Sequence, residues 1–188
     1  MKKRTFLKAV SLSLCLSFYL RVEKSVGQQY PNKEHPFNFL INALESIEKS
    51  VCLNAAEELT RKNRDSKTYD LHLRNASLSR QDVNQITAAI AKTEKQSAVR
   101  LSSLSLSYNP TIPADGFISM LNALPTDIDE LGLVGCNLND NVGRRLAKFL
   151  LRTTQLQMVC VEDNLFSALV KQKIVHSTRH LLNCAVIV

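Results

Sequence analysis

His176, His180 and Cys184 fall at i, i+4 and i+8, a spacing that would put two imidazoles and a thiol on one face of a helix. Such a stripe could hold a metal ion. However, Ser177 stands where the two-histidine helix motif of hydrolytic metal sites carries its glutamate. The stripe is therefore read as plain helix surface, and no metal ligand is assigned. Five glycines occur, none in a phosphate-cradling pattern. The five cysteines, Cys15, Cys52, Cys136, Cys160 and Cys184, are too widely spread to form the dense framework of a small secreted disulfide fold. No catalytic residue and no cofactor follow from these side chains.

Charge narrows the classes further. The 188 residues carry a net charge of +7. Residues 1–27 hold Lys2, Lys3, Arg4, Lys8, Arg21 and Lys24 against Glu23 alone, so a chain lacking them would keep only +2. The remaining basic residues are scattered, and four tyrosines with no tryptophan offer little for base stacking. Nucleic acid is not an expected partner.

The elements that would position any site come from a repeated phrase. An apolar residue, two spacers, an apolar residue, one spacer and another apolar residue are followed, after two spacers, by a small or amide-bearing residue. The four copies are Thr68, Leu71, Leu73, Ala76 and Leu78; Leu101, Leu104, Leu106 and Asn109; Ile128, Leu131, Leu133, Cys136 and Leu138; and Leu156, Val159, Val161, Asn164 and Phe166. The second copy puts Thr111 where an apolar residue is expected, and Pro110 should distort its turn. In each copy the alternating pair fits a short strand with both residues pointing inward. The Asn or Cys that follows sits where the chain turns and can satisfy buried backbone groups. Between copies the spacing is helical. Val83, Ile86, Thr87 and Ile90 follow Ser79; Ile118, Leu121 and Leu124 follow Asp115; Val142, Leu146, Phe149 and Leu150 follow Asp140, the expected N-cap.

Strand-then-helix units with this phrase resemble leucine-rich repeats of the ribonuclease inhibitor-like subclass. Gly143, Leu146, Ala147 and Leu150 also fall where that subclass favours them. The resemblance covers roughly residues 66–170. It implies an α/β fold, a short right-handed solenoid of about four repeats. Residues 28–65 would form a helical N-terminal cap, since Phe37, Leu40, Ile41, Leu44, Ile47 and Val51 keep helical spacing and a second helix could carry Ala55 and Leu59. Residues 171–188 would form a C-terminal helix covering the other end.

Residues 1–27 read as a signal peptide. A positive head (Lys2, Lys3, Arg4) precedes an apolar, serine-rich run from Ala9 to Leu20, too short to span a bilayer comfortably. Lys3-Arg4 before Thr5-Phe6-Leu7-Lys8 resembles a bacterial twin-arginine signal. Export to the periplasm or beyond is the expected localisation, with no stable membrane span. Alternatively Leu7, Val10, Leu12 and Cys15 form a strand of an early repeat, and the protein stays cytoplasmic or is delivered to a host cell.

What remains is a surface. On leucine-rich repeats the residues flanking the inward pair face a concave sheet. Here that set is Asp70, His72, Arg74, Ser105, Ser107, Tyr108, Glu130, Met158, Cys160 and Glu162, with Asn75, Ser103, Gly132, Val134 and Asp163 beside them. Cys160 would lie three strands from His72, about 14 Å at 4.8 Å per strand, too far for a nucleophile and its base. The expected function is non-catalytic protein binding through this face, by a bacterial protein whose partner the sequence does not name. A host-directed effector or scaffold with an uncleaved N-terminus is the alternative, and an enzyme the least favoured.

Overall fold

The computed structural model describes residues 35–188. The proposed signal peptide, its early-repeat alternative and Cys15 lie outside them. The chain runs α1 (Asn38–Ile47), α2 (Ser50–Arg61), β1 (Thr68–His72), α3 (Arg80–Ser97), β2 (Arg100–Ser105), α4 (Ala114–Ala123), β3 (Glu130–Gly132), α5 (Asp140–Leu150), β4 (Met158–Cys160), α6 (Ala168–Ser177) and β5 (Ala185–Ile187). It is an α/β structure with six helices among the described residues and one five-stranded sheet. Every neighbouring pair of strands is parallel, and the sheet order is β1-β2-β3-β4-β5, the order of the chain. Each parallel pair is joined by a crossover containing one helix. Helices α3 to α6 each pack on the next, and α1 packs on both α2 and α3.

The phrase sets the register. Leu71 lies opposite Leu104, Leu104 opposite Leu131, Leu131 opposite Val159, and Val159 opposite Val186. The first four are buried, as are Leu73, Leu106, Leu133 and Val161. With Val83, Ile86 and Ile90 of α3, Phe117 and Leu121 of α4, and Leu146 and Phe149 of α5, they form one core between sheet and helices.

The caps follow from local chemistry. Ser79 Oγ accepts from the Asp82 N–H, and the Asp82 carboxylate accepts from the Ser79 N–H at 2.8 Å, a reciprocal capping box on α3. On α5 the cap is Asn139, not Asp140: Asn139 Oδ1 accepts from the N–H groups of Asn141 and Val142. Asp140 is the first helical residue and reaches forward, accepting from Ser167 N and Ser167 Oγ, each at 2.8 Å. Ser167 in turn caps α6.

Three further expectations from the sequence differ from the structure. In the first copy the buried residue before Leu71 is Tyr69, not Thr68, which is exposed. Tyr69 packs on Phe37 with ring centroids 5.4 Å apart, and a register shift between Tyr69 and Asp70 absorbs the one-residue difference against β2. Two helices do form within residues 36–62, but the break falls before Val51, not after it, because Glu48 takes a left-handed backbone (φ 57°) and ends α1. The C-terminal segment is not helical throughout: α6 stops at Ser177, and Ala185–Ile187 form the fifth strand. Among the described residues no helix is long and apolar enough to cross a membrane.

Candidate interaction face

Strand side chains alternate, so the residues between the inward ones stand on the sheet face away from the helices. Pairing arranges them in rows across the strands. One row is Asp70, Ser103, Glu130, Met158 and Ala185; the next is His72, Ser105, Gly132, Cys160 and Ile187. Beyond the strand ends, Asn75 N–H donates to Ser107 O, Tyr108 N–H to Val134 O, and Gly135 N–H to Glu162 O. These bonds carry the alignment into a margin holding Arg74, Tyr108 and Glu162. All ten residues expected on this face therefore share one side of the sheet or its margin. Ala185 and Ile187 extend it; the phrase does not point to them because Asn183 takes its opening apolar position.

A hydrogen-bonded track crosses three strands. His72 Nε2 and Ser103 Oγ are 3.0 Å apart, and Ser103 Oγ donates to Glu130 Oε2 at 3.0 Å. Flanking side chains cover the serines more than the sequence implies, and Ser103 and Ser107 are buried. Ser107 Oγ accepts from the Val134 N–H at 3.1 Å and lies 3.3 Å from Ser105 Oγ. Ser107 thus shapes the floor, whereas Asp70, His72, Arg74, Glu130 and Met158 are exposed.

Tyr108 is held in an unusual pose. Its backbone is left-handed (φ 59°), at the position taken in the other copies by Asn75, Gly135 and Asp163, all left-handed as well. Asn, Asp and Gly tolerate that region; an aromatic residue is a rare occupant. The Arg74 guanidinium lies over one side of the Tyr108 ring, 4.2 Å from its centroid. A Cβ on Gly135 would come within 2.9 Å of the same ring, so only glycine leaves it room.

Beneath the face, the phrase's amide position ties successive turns together. Asn109 Nδ2 donates to Leu73 O and Leu106 O, each at 2.8 Å, and Asn109 Oδ1 accepts from the Leu78 N–H. Asn164 does the same two copies on, donating to Leu133 O and Val161 O and accepting from the N–H groups of Cys136 and Leu138. Cys136 Sγ donates to Leu106 O. Ala76 can make no such bond, and Asn109 supplies the contacts to its turn.

The chemistry open to this arrangement is limited. Cys160 is separated from His72 by Ser105 and Gly132, and burial together with Glu162 and Glu130 pushes its thiol up, away from the nucleophilic thiolate. His176, His180 and Cys184 share no helix face, because α6 ends at Ser177. His180 Nε2 instead donates to the Thr153 carbonyl at 2.9 Å. Cys52, Cys136, Cys160 and Cys184 are free thiols.

Comparison with known proteins leaves the case to this geometry. No protein-family model matches the chain, and no curated protein matches it either.

Proposed function

We propose that residues 66–170 form a short, right-handed leucine-rich repeat solenoid, capped at its start by α1 and α2 and at its end by residues 171–188, that binds a protein on its concave sheet face without catalysis. The observation that carries this reading is the open face itself. All-parallel sheets ordinarily have both faces covered, yet this one buries Leu71, Leu104, Leu131 and Val159 on one side and leaves Asp70, His72, Glu130 and Met158 exposed on the other. The turn-tying amides and the recurring left-handed residue before them support the repeat assignment. The pose of Tyr108 supports the binding site, because strained backbone is retained where a side chain must be aimed. In the same reading, residues 1–27 are an export signal of a bacterial protein.

The test compares two substitutions against a captured partner. Tyr108→Ala should weaken binding by more than about 1 kcal/mol, as truncating an anchoring aromatic does. Lys148→Ala, on α5, should leave binding unchanged, with both variants folded by circular dichroism. If the Lys148 substitution abolishes binding and the Tyr108 substitution does nothing, the partner engages the helical side and the proposal fails.

A further inference from the structure

The open face has a floor of small side chains, and its fixed charges are unevenly signed. Gly132 sits near its centre, beside Ser105, Cys160 and the inward-lying Ser107. A Cβ on Gly132 would stand 3.0 Å from Ser105 Oγ and 3.3 Å from Ser107 Oγ, so the two serine hydroxyls close in around the glycine and make the floor there polar. Two carboxylates flank it. Glu130 pairs with Met158, two residues before Cys160, and Glu162 follows Cys160 by two. At about 3.3 Å per strand residue, the Glu130 backbone lies about 7 Å from Gly132 along β3 and that of Glu162 about 7 Å beyond Cys160. Asp70 and Asp163 add negative charge at the margins. Arg74 is the single Lys or Arg among the face residues, and its guanidinium is already stacked on Tyr108.

The two glutamates are not equivalent. Glu130 is exposed and accepts from Ser103 Oγ. Glu162 is half-buried, and its Oε2 is enclosed without a hydrogen-bond partner. A half-buried carboxylate is screened less by solvent than an exposed one, so a cation arriving at the surface beside it gains more. Building on the concave-face reading above, we propose that the occupant is an extended protein segment bearing an arginine or lysine, with its cation over Gly132 between Glu130 and Glu162 and its aliphatic stem along Met158 and Cys160. A second copy of this chain is a poorer fit, since the same acidic face would meet itself. Tyr108 closes one side, and the exposed Ile187 on β5 borders the other.

The probe is a rhodamine-labelled seven-residue peptide of alternating threonine and arginine, titrated with the full chain and followed by fluorescence anisotropy. A threonine–glutamate peptide of the same length is the control. The arginine peptide should bind, weaken as salt rises from 50 to 200 mM, and lose at least threefold in affinity with either Glu130→Gln or Glu162→Gln. The glutamate peptide should not bind. Glu162→Gln should not lower the melting temperature, because the carboxylate makes no hydrogen bond at Oε2; a fall would assign it a structural role and overturn the proposal. Indifference to both glutamine substitutions, equal binding of the acidic peptide, or no binding of the arginine peptide would overturn it as well. Sensitivity to Tyr108→Ala separates the two claims. A peptide that responds to Tyr108 but to neither glutamate overturns the cation seat and leaves the face intact, whereas one that responds to neither overturns both.

Discussion

Asn109 makes four contacts inside the protein, three as donor and one as acceptor, and two of them reach the turn of the preceding copy. Replacing it with alanine would strand Leu78 N–H and Leu73 O in a buried setting. Each unsatisfied group costs about 1–3 kcal/mol, so Asn109→Ala should destabilise by about 2–6 kcal/mol in denaturant melts. Thr111→Ala removes one hydrogen bond from an exposed residue to Leu78 O and should cost about 1 kcal/mol or less. Equal losses would show that the buried amide does not hold the turns. The amide position was legible in the sequence because Asn109, Cys136 and Asn164 stand at one place in the phrase. The pose of Tyr108 was not, since nothing in a tyrosine marks a left-handed backbone; only its alignment with Asn75, Gly135 and Asp163 does.

At the scale of elements, strands and helices followed from apolar spacing, while their edges depended on choices the spacing leaves open. Asn139 and Asp140 are both good caps, and the sequence does not say which one turns back on α5 and which reaches Ser167. Thr68 and Tyr69 compete for one slot, and the aromatic residue wins because Phe37, distant in sequence, offers it a ring. The α5–α6 contact gives a sharper case. A Cβ at Gly143 would lie 2.4 Å from Val170 Cγ1 and 3.0 Å from the Phe166 ring, so the helices approach through the missing side chain. Alanine at an interior helix position ordinarily gains about 1 kcal/mol over glycine. Here Val170 is β-branched and stiff within α6, so the two helices must separate. Gly143→Ala should therefore be net destabilising by about 1–2 kcal/mol in thermal melts, since overpacking costs about 1–3 kcal/mol. A stabilised variant would contradict the close packing.

Across the whole molecule, strand order follows chain order, and side chains link neighbouring units as well as the core does. Arg100 donates to Asp129 Oδ2 at 2.9 Å, joining the start of β2 to the approach to β3, and Ser102 Oγ donates to the same oxygen. The hydrogen bond from Arg100 holds the Asp129 carboxyl below the usual aspartate range, with Ser102 and the charge of Arg100 adding to it. A carboxyl whose folded pKa is depressed stabilises the fold above its unfolded value and loses that contribution as pH falls through the folded one. Asp129→Asn should thus cost about 1–2 kcal/mol at pH 7, and its difference from wild type should shrink as pH falls below about 4. A constant difference down to pH 2 would mean the pair is not charge-assisted. At this scale the parallel sheet and its open face were legible from four copies of the phrase. The fifth strand was not, because Asn183 stands at the phrase's opening apolar position and only Val186 and Val188 fit the rest.

If a protein partner lies on the open sheet face, as proposed, site-specific photocrosslinking should find it there. A benzophenone side chain placed at Ser105, between His72 and Gly132, should capture the partner on illumination. The same group at Lys148, on the exposed side of α5, should capture little or none. Strong adducts at position 105 that Tyr108→Ala suppresses are the expected result. Adducts at 148 with none at 105 would contradict it.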